Sequence, residues 1–228
     1  ATGTAAILVN AAGQNEIIVA LGANAALRPA DVPAAALKSA RVVITQHETD
    51  LRTVAAVLRA ARRAGATTIH NPAPMRADFD PALLKHVDVL IPNETEFAAL
   101  VKTLGIAGGA AVAPETLAAL PPAELHALCR ALNVPTVIVT LGAKGVFVSQ
   151  ASGPAFIAAH QVNVVDTTGA GDAFCGGFAA GVVKFSGEIL AAARFGNAVA
   201  ALSVTGFGTA PSMPTAREIA AFLKKSSA

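Results

Sequence analysis

Hydrophobic and polar positions follow two periods along this chain, and the period changes mark out its elements. Thr4–Asn10 and Glu16–Leu21 are apolar, partly β-branched runs separated by Ala11-Ala12-Gly13-Gln14-Asn15, which predicts a β-hairpin closed by a glycine-containing turn. Leu51, Val54, Ala55 and Leu58 then recur at helical spacing, predicting a helix over Asp50–Ala64 with Arg59, Arg62 and Arg63 toward solvent and Gly65 as its stop. Short apolar runs at Arg41–Thr45 and Thr67–His70 flank it as strands, and Asn71-Pro72-Ala73-Pro74 excludes a further helix. Val87–Ile91 reads as a buried strand and Glu94–Leu104 as the helix after it. Gly105–Pro122, rich in Ala, Gly and Pro, reads as a surface excursion. A helix over Pro122–Leu132 precedes strands at Thr136–Thr140, Gly145–Gln150 and Ala155–Ala158, and Val162–Val165 is also strand-like. Helices over Ala170–Phe185, Glu188–Val204 and Thr215–Lys225 complete the chain. Strands alternating with helices predict an α/β fold with a mainly parallel, doubly wound sheet, whose ligands bind at the carboxyl ends of the strands.

Composition narrows the function classes. The 228 residues are 54% hydrophobic and 14% charged, so a packed core is expected and disorder is excluded. Alanine, 54 residues by count, raises the hydropathy, and the apolar stretch Ala173–Val183 ends at Lys184, short of the ~20 residues of a membrane span. A net charge of +2 and the absence of Trp and Tyr argue against a nucleic-acid surface. Cys129 and Cys175 form no C-x-x-C, and no signal pattern opens the chain, so a reduced, cytoplasmic setting is expected. Five dispersed histidines at 47, 70, 86, 126 and 160 give no zinc spacing, and no G-x-S-x-G occurs.

The most informative stretch is Asp166-Thr167-Thr168-Gly169-Ala170-Gly171-Asp172-Ala173-Phe174, which opens an apolar helix. Glycines at 169 and 171 admit close approach of a ligand, and a helix start offers free N–H groups to phosphate. The charge of Asp172 opposes a pure anion cradle, a conflict that resolves if Asp172 is a base acting on an attacking alcohol. The plainer alternative is a helix start in which Thr168 caps and Asp172 complements the dipole. Neither G-x-x-x-x-G-K-[ST] nor G-x-G-x-x-G is present, Phe174 standing where the latter needs glycine. Asn93-Glu94-Thr95-Glu96 after a strand reads first as a capping box, and otherwise as a site where Glu96 holds waters around Mg²⁺. Thr140-Leu141-Gly142-Ala143-Lys144-Gly145 is either a glycine turn or a nucleotide-lining loop. Glu48 and Asn71 each follow a strand and suit either a polyol contact or a turn.

Taken together, these segments resemble the ribokinase-like (PfkB) carbohydrate kinase family. Asp166–Asp172 looks like its second signature and Asn93–Glu96 like its N-x-x-E motif. Gly22-Ala23-Asn24-Ala25, Gln46-His47-Glu48, Asn71-Pro72-Ala73-Pro74 and Ala210-Pro211-Ser212-Met213-Pro214 match in the same order. The resemblance implies a Rossmann-like sheet flanked by helices, and one kinase domain over residues 1–228. Residues 41–228 would be its α/β core and 4–21 a hairpin belonging to a partial β lid. It implies ATP-dependent phosphorylation of the primary 5-hydroxyl of D-ribose. The alternatives are 2-keto-3-deoxygluconate or fructose as acceptor, or a catalytically inert nucleotide-binding fragment. Asp172 would be the base and Gly169, Ala170 and Gly171 the anion hole. Asn93 and Glu96 would organise Mg²⁺ and the triphosphate. Thr140, Gly142, Gly145, Gly171 and Asn197 would serve ATP, and Glu48 the sugar. By the same resemblance K⁺ would sit among Asp166, Thr168, Ser203, Gly206, Gly208 and Ser212. Family members begin with a strand-rich region bearing a Gly-Gly sugar signature, which Ala1-Thr2-Gly3-Thr4 looks to follow. The chain is therefore expected to be N-terminally incomplete, with dimerisation dependent on the rest of the lid.

Overall fold

A computed structural model of the protein describes residues 1–9, 15–106 and 112–226. β1 (Thr4–Val9) and β2 (Asn15–Ala20) pair antiparallel as a separate two-stranded sheet. The turn expected between them lies outside the described residues. The main sheet has six strands in chain order: β3 (Val42–Thr45), β4 (Thr67–His70), β5 (Val89–Leu90), β6 (Thr136–Thr140), β7 (Gly145–Gln150) and β8 (Gly153–Ala158). The β3–β4, β4–β5 and β5–β6 pairs are parallel, while β6–β7 and β7–β8 are antiparallel hairpin pairs.

Side chains alternate across this sheet and divide the core in two. Val137, Val139 and Phe147 face one layer with Leu90. Ile138, Val146 and Val148 face the other with Ile69, Val89 and Ile91. The first layer is covered by α3 (Leu51–Arg63), α4 (Glu94–Thr103), α5 (Pro114–Leu117) and α6 (Pro122–Ala131), through Leu58, Phe97, Leu100, Leu117 and Leu125 among others. The second is covered by α7 (Ala170–Lys184) and α8 (Ile189–Ser203), through Phe174, Phe178, Val182, Ala192 and Ala193. Small residues bring α7 and α8 close together: a Cβ at Gly181 would lie 2.8 Å from the Ala192 Cα. α9 (Ala216–Ser226) packs Ile219 against Ala173 and Val199, and the short α1 (Ala23–Ala26) and α2 (Ala34–Ser39) lead into β3. No helix among the described residues is long and apolar enough to cross a membrane.

Four expectations need correction. The main sheet grows in one direction without the reversal of a doubly wound sheet; its second helix layer comes from α7 and α8 at the end of the chain. The Val87–Ile91 strand shrinks to Val89–Leu90, because Val87 closes a 3₁₀ turn over Pro81–His86 and the chain after Ile91 turns into α4. Val162–Val165 is not a strand. Val164 and Val165 are both 56% exposed, and the Val165 and Asp166 amides bond the Val204 carbonyl at the end of α8. The described part of the Gly105–Pro122 excursion contains α5, whose Leu117 is fully buried in the first core layer.

Candidate active site

Because β3 to β6 run parallel, the residues following them gather along one edge. Glu48 follows β3, Asn71 follows β4, Asn93 and Glu96 follow β5, and Thr140 ends β6. Asn93 and Thr140 form a parallel bridge, with the Thr140 amide donating to the Pro92 carbonyl at 3.0 Å. Asn93 caps α4. Its side-chain oxygen accepts from the Glu96 amide at 2.8 Å, and Glu96 Oε2 accepts from the Asn93 amide at 2.9 Å. The Asn93 amide group also donates to Glu96 Oε1 at 3.0 Å, while Asn71 reaches Oε2 at 3.5 Å and the Ile91 carbonyl at 2.7 Å. The capping reading of N-x-x-E is therefore correct. It also leaves a buried carboxylate beside the site edge, both of its oxygens accepting hydrogen bonds from Asn93 or Asn71.

Burial pushes the Glu96 carboxyl above its ordinary value, against the lowering effect of the Asn93 and Asn71 hydrogen bonds, and the Asp172 charge adds to the rise. Asp172 is thus near enough to Glu96 for its charge to act there. Cys175, one turn beyond Asp172, is pushed up to about 12 by burial and by the same two carboxylates, so it stays a thiol. Asp172 itself is exposed. It sits in the first turn of α7, where no side chain caps the helix. Thr168 does not cap, contrary to the plainer expectation: it precedes the N-cap, and its amide, at 2.9 Å, and its side chain both bond the Asp166 carboxylate. The N-cap is Gly169 in a left-handed conformation with φ +78°, where a Cβ would meet Thr209 Cγ2 at 3.0 Å. The Ala170 amide donates to the Thr167 carbonyl at 3.2 Å and is less free than the expected anion hole requires.

Asp166 ties this turn to the loop after α8, its Oδ2 accepting from the Gly208 amide at 3.0 Å. These hydrogen bonds hold its carboxyl below the ordinary range. Ser212 donates to the Gly208 and Thr209 carbonyls, Ser203 donates to the Ala200 carbonyl at 2.9 Å, and a Cβ at Gly206 would touch Ser212 Cβ. Five of the six residues singled out for a monovalent ion therefore lie on two loops tied together at Asp166, and Ser203 ends α8 just before the second of them.

The glycine loop splits in two. Gly142 is exposed in a 3₁₀ turn, whereas Gly145 is buried and paired with Ala158. Gly145 therefore shapes the loop and does not offer surface, which corrects its expected contact with nucleotide. Asn197 is 6% exposed and donates to the Ala158 carbonyl at 2.8 Å, so it fastens the end of β8 behind that loop. Glu48 is half-buried in the bend after β3, its amide accepted by the Gln46 side chain. Sequence reasoning passed over His47 and His70, which are buried beneath this edge and hydrogen-bonded to each other. His47 lies inside the Gln46–Glu48 segment and His70 directly before the Asn71–Pro74 segment, and their burial is the signal that dispersed spacing hides. A cavity of about 550 Å³ between α3 and the 76–86 segment, lined by Arg52, Arg59 and Arg76, holds none of the predicted site residues.

The family model for pfkB family carbohydrate kinases matches residues 1–216. The chain belongs to the pfkB family of carbohydrate kinases. Its chemistry is thereby ATP-dependent phosphoryl transfer to a carbohydrate. Among curated relatives of this pfkB chain, Staphylococcus aureus ribokinase is 34% identical over 220 residues, covering 96% of this chain and 68% of its own. Deoxyribokinase of Salmonella typhi is 36% identical over 224 residues, covering 97% and 69%. The solved structure of Arabidopsis thaliana ribokinase complexed with ribose and ATP superposes with a TM-score of 0.80 at 30% identity, over 97% of this chain and 69% of that one.

Proposed function

We propose that the protein transfers the γ-phosphoryl group of ATP to the primary 5-hydroxyl of D-ribose, giving ribose 5-phosphate. The observation that carries this reading is Asp172, an exposed carboxylate in the first turn of an uncapped helix, near enough to the buried Glu96 for its charge to act there. A carboxylate there suits a base that takes the hydroxyl proton as its oxygen attacks phosphorus. The Gly169 and Gly171 amides face the charge developing on the transferring group, with the Ala170 amide contributing less because Thr167 shares it. Thr140 and Gly142 line the nucleotide, Gly145 shapes their loop, Asn197 stands near the adenine, and Glu48 contacts the sugar.

Asn93 and Glu96 organise Mg²⁺ and the triphosphate. Both Glu96 oxygens already accept hydrogen bonds, so Glu96 acts on the ion through water. Among the described residues no group of three or more His, Cys, Asp or Glu would cage a metal ion, which fits an ion held largely by phosphate and water. When bound, Mg²⁺ neutralises phosphate charge. The ionised Asp166 and the carbonyls of the 203–212 loop suit a large monovalent cation such as K⁺, which would steady the turn carrying the anion-hole amides. The serine hydroxyls there already donate to carbonyls, so Ser203 and Ser212 would contribute backbone oxygens. Both cysteines are free and buried, which agrees with a cytoplasmic setting.

A phosphorylation assay across ribose, 2-deoxyribose, fructose and 2-keto-3-deoxygluconate tests the assignment. Ribose is expected to be preferred, and a strong preference for another sugar rejects it. ATP binding without ADP production on any sugar would indicate an inert nucleotide-binding module. Replacing K⁺ by Na⁺ is expected to lower turnover, and indifference to that exchange counts against the loop ion.

A further inference from the structure

The carboxyl ends of β3 and β4 bring two imidazoles together beneath the site edge. His47 is 1% exposed and His70 fully buried, with Nε2 atoms 3.0 Å apart and ring centroids 4.9 Å apart. No carboxylate bonds either ring. Arg76 and Asp78 are the charged groups facing His47, the Phe79 ring packs on it at 5.3 Å, and His70 faces His47 alone among titratable groups.

The chemistry of one carbonyl assigns every proton in this chain. His47 Nδ1 lies 3.0 Å from the Pro74 oxygen, which only accepts, so Nδ1 carries hydrogen. In a neutral ring Nε2 of His47 is then a lone pair, and the proton between the rings belongs to His70 Nε2. His70 Nδ1 is therefore an acceptor, and the Thr45 hydroxyl donates to it at 2.8 Å. A second proton on the pair would set N–H against N–H at that 3.0 Å contact.

We infer that the His47–His70 pair is a positioning device, holding the Gln46–Glu48 bend against the Asn71–Pro74 turn and so fixing Glu48 and Asn71 for the site. The surrounding bonds agree. The His47 amide donates to the Ala73 carbonyl at 2.9 Å and the Asn71 amide to the Thr45 carbonyl at 3.0 Å. Arg76 clasps the His47 and Thr49 carbonyls from below. Asn71 then carries the register to Glu96. The consequence for the sugar, through Glu48, rests on the proposed kinase function; the existence of the pair does not.

Long-range ¹H–¹⁵N spectra of the imidazoles on the unliganded chain provide the first test. His47 is expected as the Nδ1–H tautomer and His70 as the Nε2–H tautomer, both neutral at neutral pH. A charged ring, or His47 protonated on Nε2, overturns the pair. The second test compares His70→Leu with His70→Gln, whose amide can still donate to His47 Nε2. In His70→Leu the His47 and Asn71 amides should exchange at least about tenfold faster and the sugar KM should rise about tenfold, more than the KM for ATP, which Asn71 reaches only through Glu96. His70→Gln should restore both to within about threefold. An unchanged exchange rate or an unchanged sugar KM in His70→Leu overturns the positioning role. A wild-type chain that phosphorylates no sugar removes the kinase reading instead, and the tautomers and exchange rates still decide the pair.

Discussion

A Cβ added at Gly145 would lie 2.1 Å from the Ile157 carbonyl oxygen, on a backbone at φ +113°. Both the clash and the conformation oppose any L side chain there. Gly145→Ala should therefore destabilise the fold by roughly 3 kcal/mol in urea denaturation, and an unmoved midpoint would contradict the account. The sequence places Gly142 and Gly145 in one loop with one expected role, but spacing does not report which of two glycines is covered by a neighbouring strand. The same limit applies at Thr168, the better cap by residue type. Its amide and its side chain both bond Asp166 in the preceding turn, and the helix starts from a left-handed glycine instead. Asp172, by contrast, stands where its sequence places it, exposed in the first turn of a helix. A carboxylate placed where the helix dipole and glycines favour an anion is a local conflict, and such conflicts mark chemistry.

At the scale of elements, α4 and α7 begin in opposite ways. α4 is closed by the reciprocal Asn93–Glu96 cap, whereas α7 has no side-chain cap. Asn93→Ala should remove about 1 kcal/mol of stability, read by thermal or urea unfolding. It should also weaken binding of ATP with Mg²⁺, because the Glu96 carboxylate loses its Asn93 side-chain donor. An unchanged ATP affinity, with the backbone donor to Glu96 Oε2 retained, would confine Asn93 to capping. Helices α3, α4 and α6 follow from periodicity, since each must bury one face, and strands β4, β6 and β7 from short apolar runs buried on both faces. Val162–Val165 carries the same apolar alternation with no neighbouring strand to pair with, and only the end of α8 receives its amides. Leu117 escaped notice because an Ala-, Gly- and Pro-rich composition describes the segment while one side chain decides its burial.

At the scale of the molecule, the alternation of strands and helices gave the α/β class and the edge where function lies. Sheet order required knowing that α7 and α8, late in the chain, supply the second layer. Two neutral histidines inside this structure also give stability a pH dependence. Burial lowers His70 to about 3 and lowers His47 as well. Above the unfolded value of about 6.5 both states are unprotonated, and neither histidine contributes a slope. Below it the unfolded chain takes up protons that the folded chain refuses, so stability falls with pH until the folded values are reached, by up to about 1.4 kcal/mol per pH unit for each group. Urea unfolding at pH 7 and pH 5 should show a smaller loss for His70→Gln than for wild type, and equal losses would contradict the neutral pair. The central claim is the role of Asp172, and ATP-dependent phosphorylation of ribose by wild type and Asp172→Asn tests it most directly. Turnover should fall at least ~10²-fold with ATP affinity within about twofold, as loss of a general base requires; near-normal turnover in Asp172→Asn would contradict it.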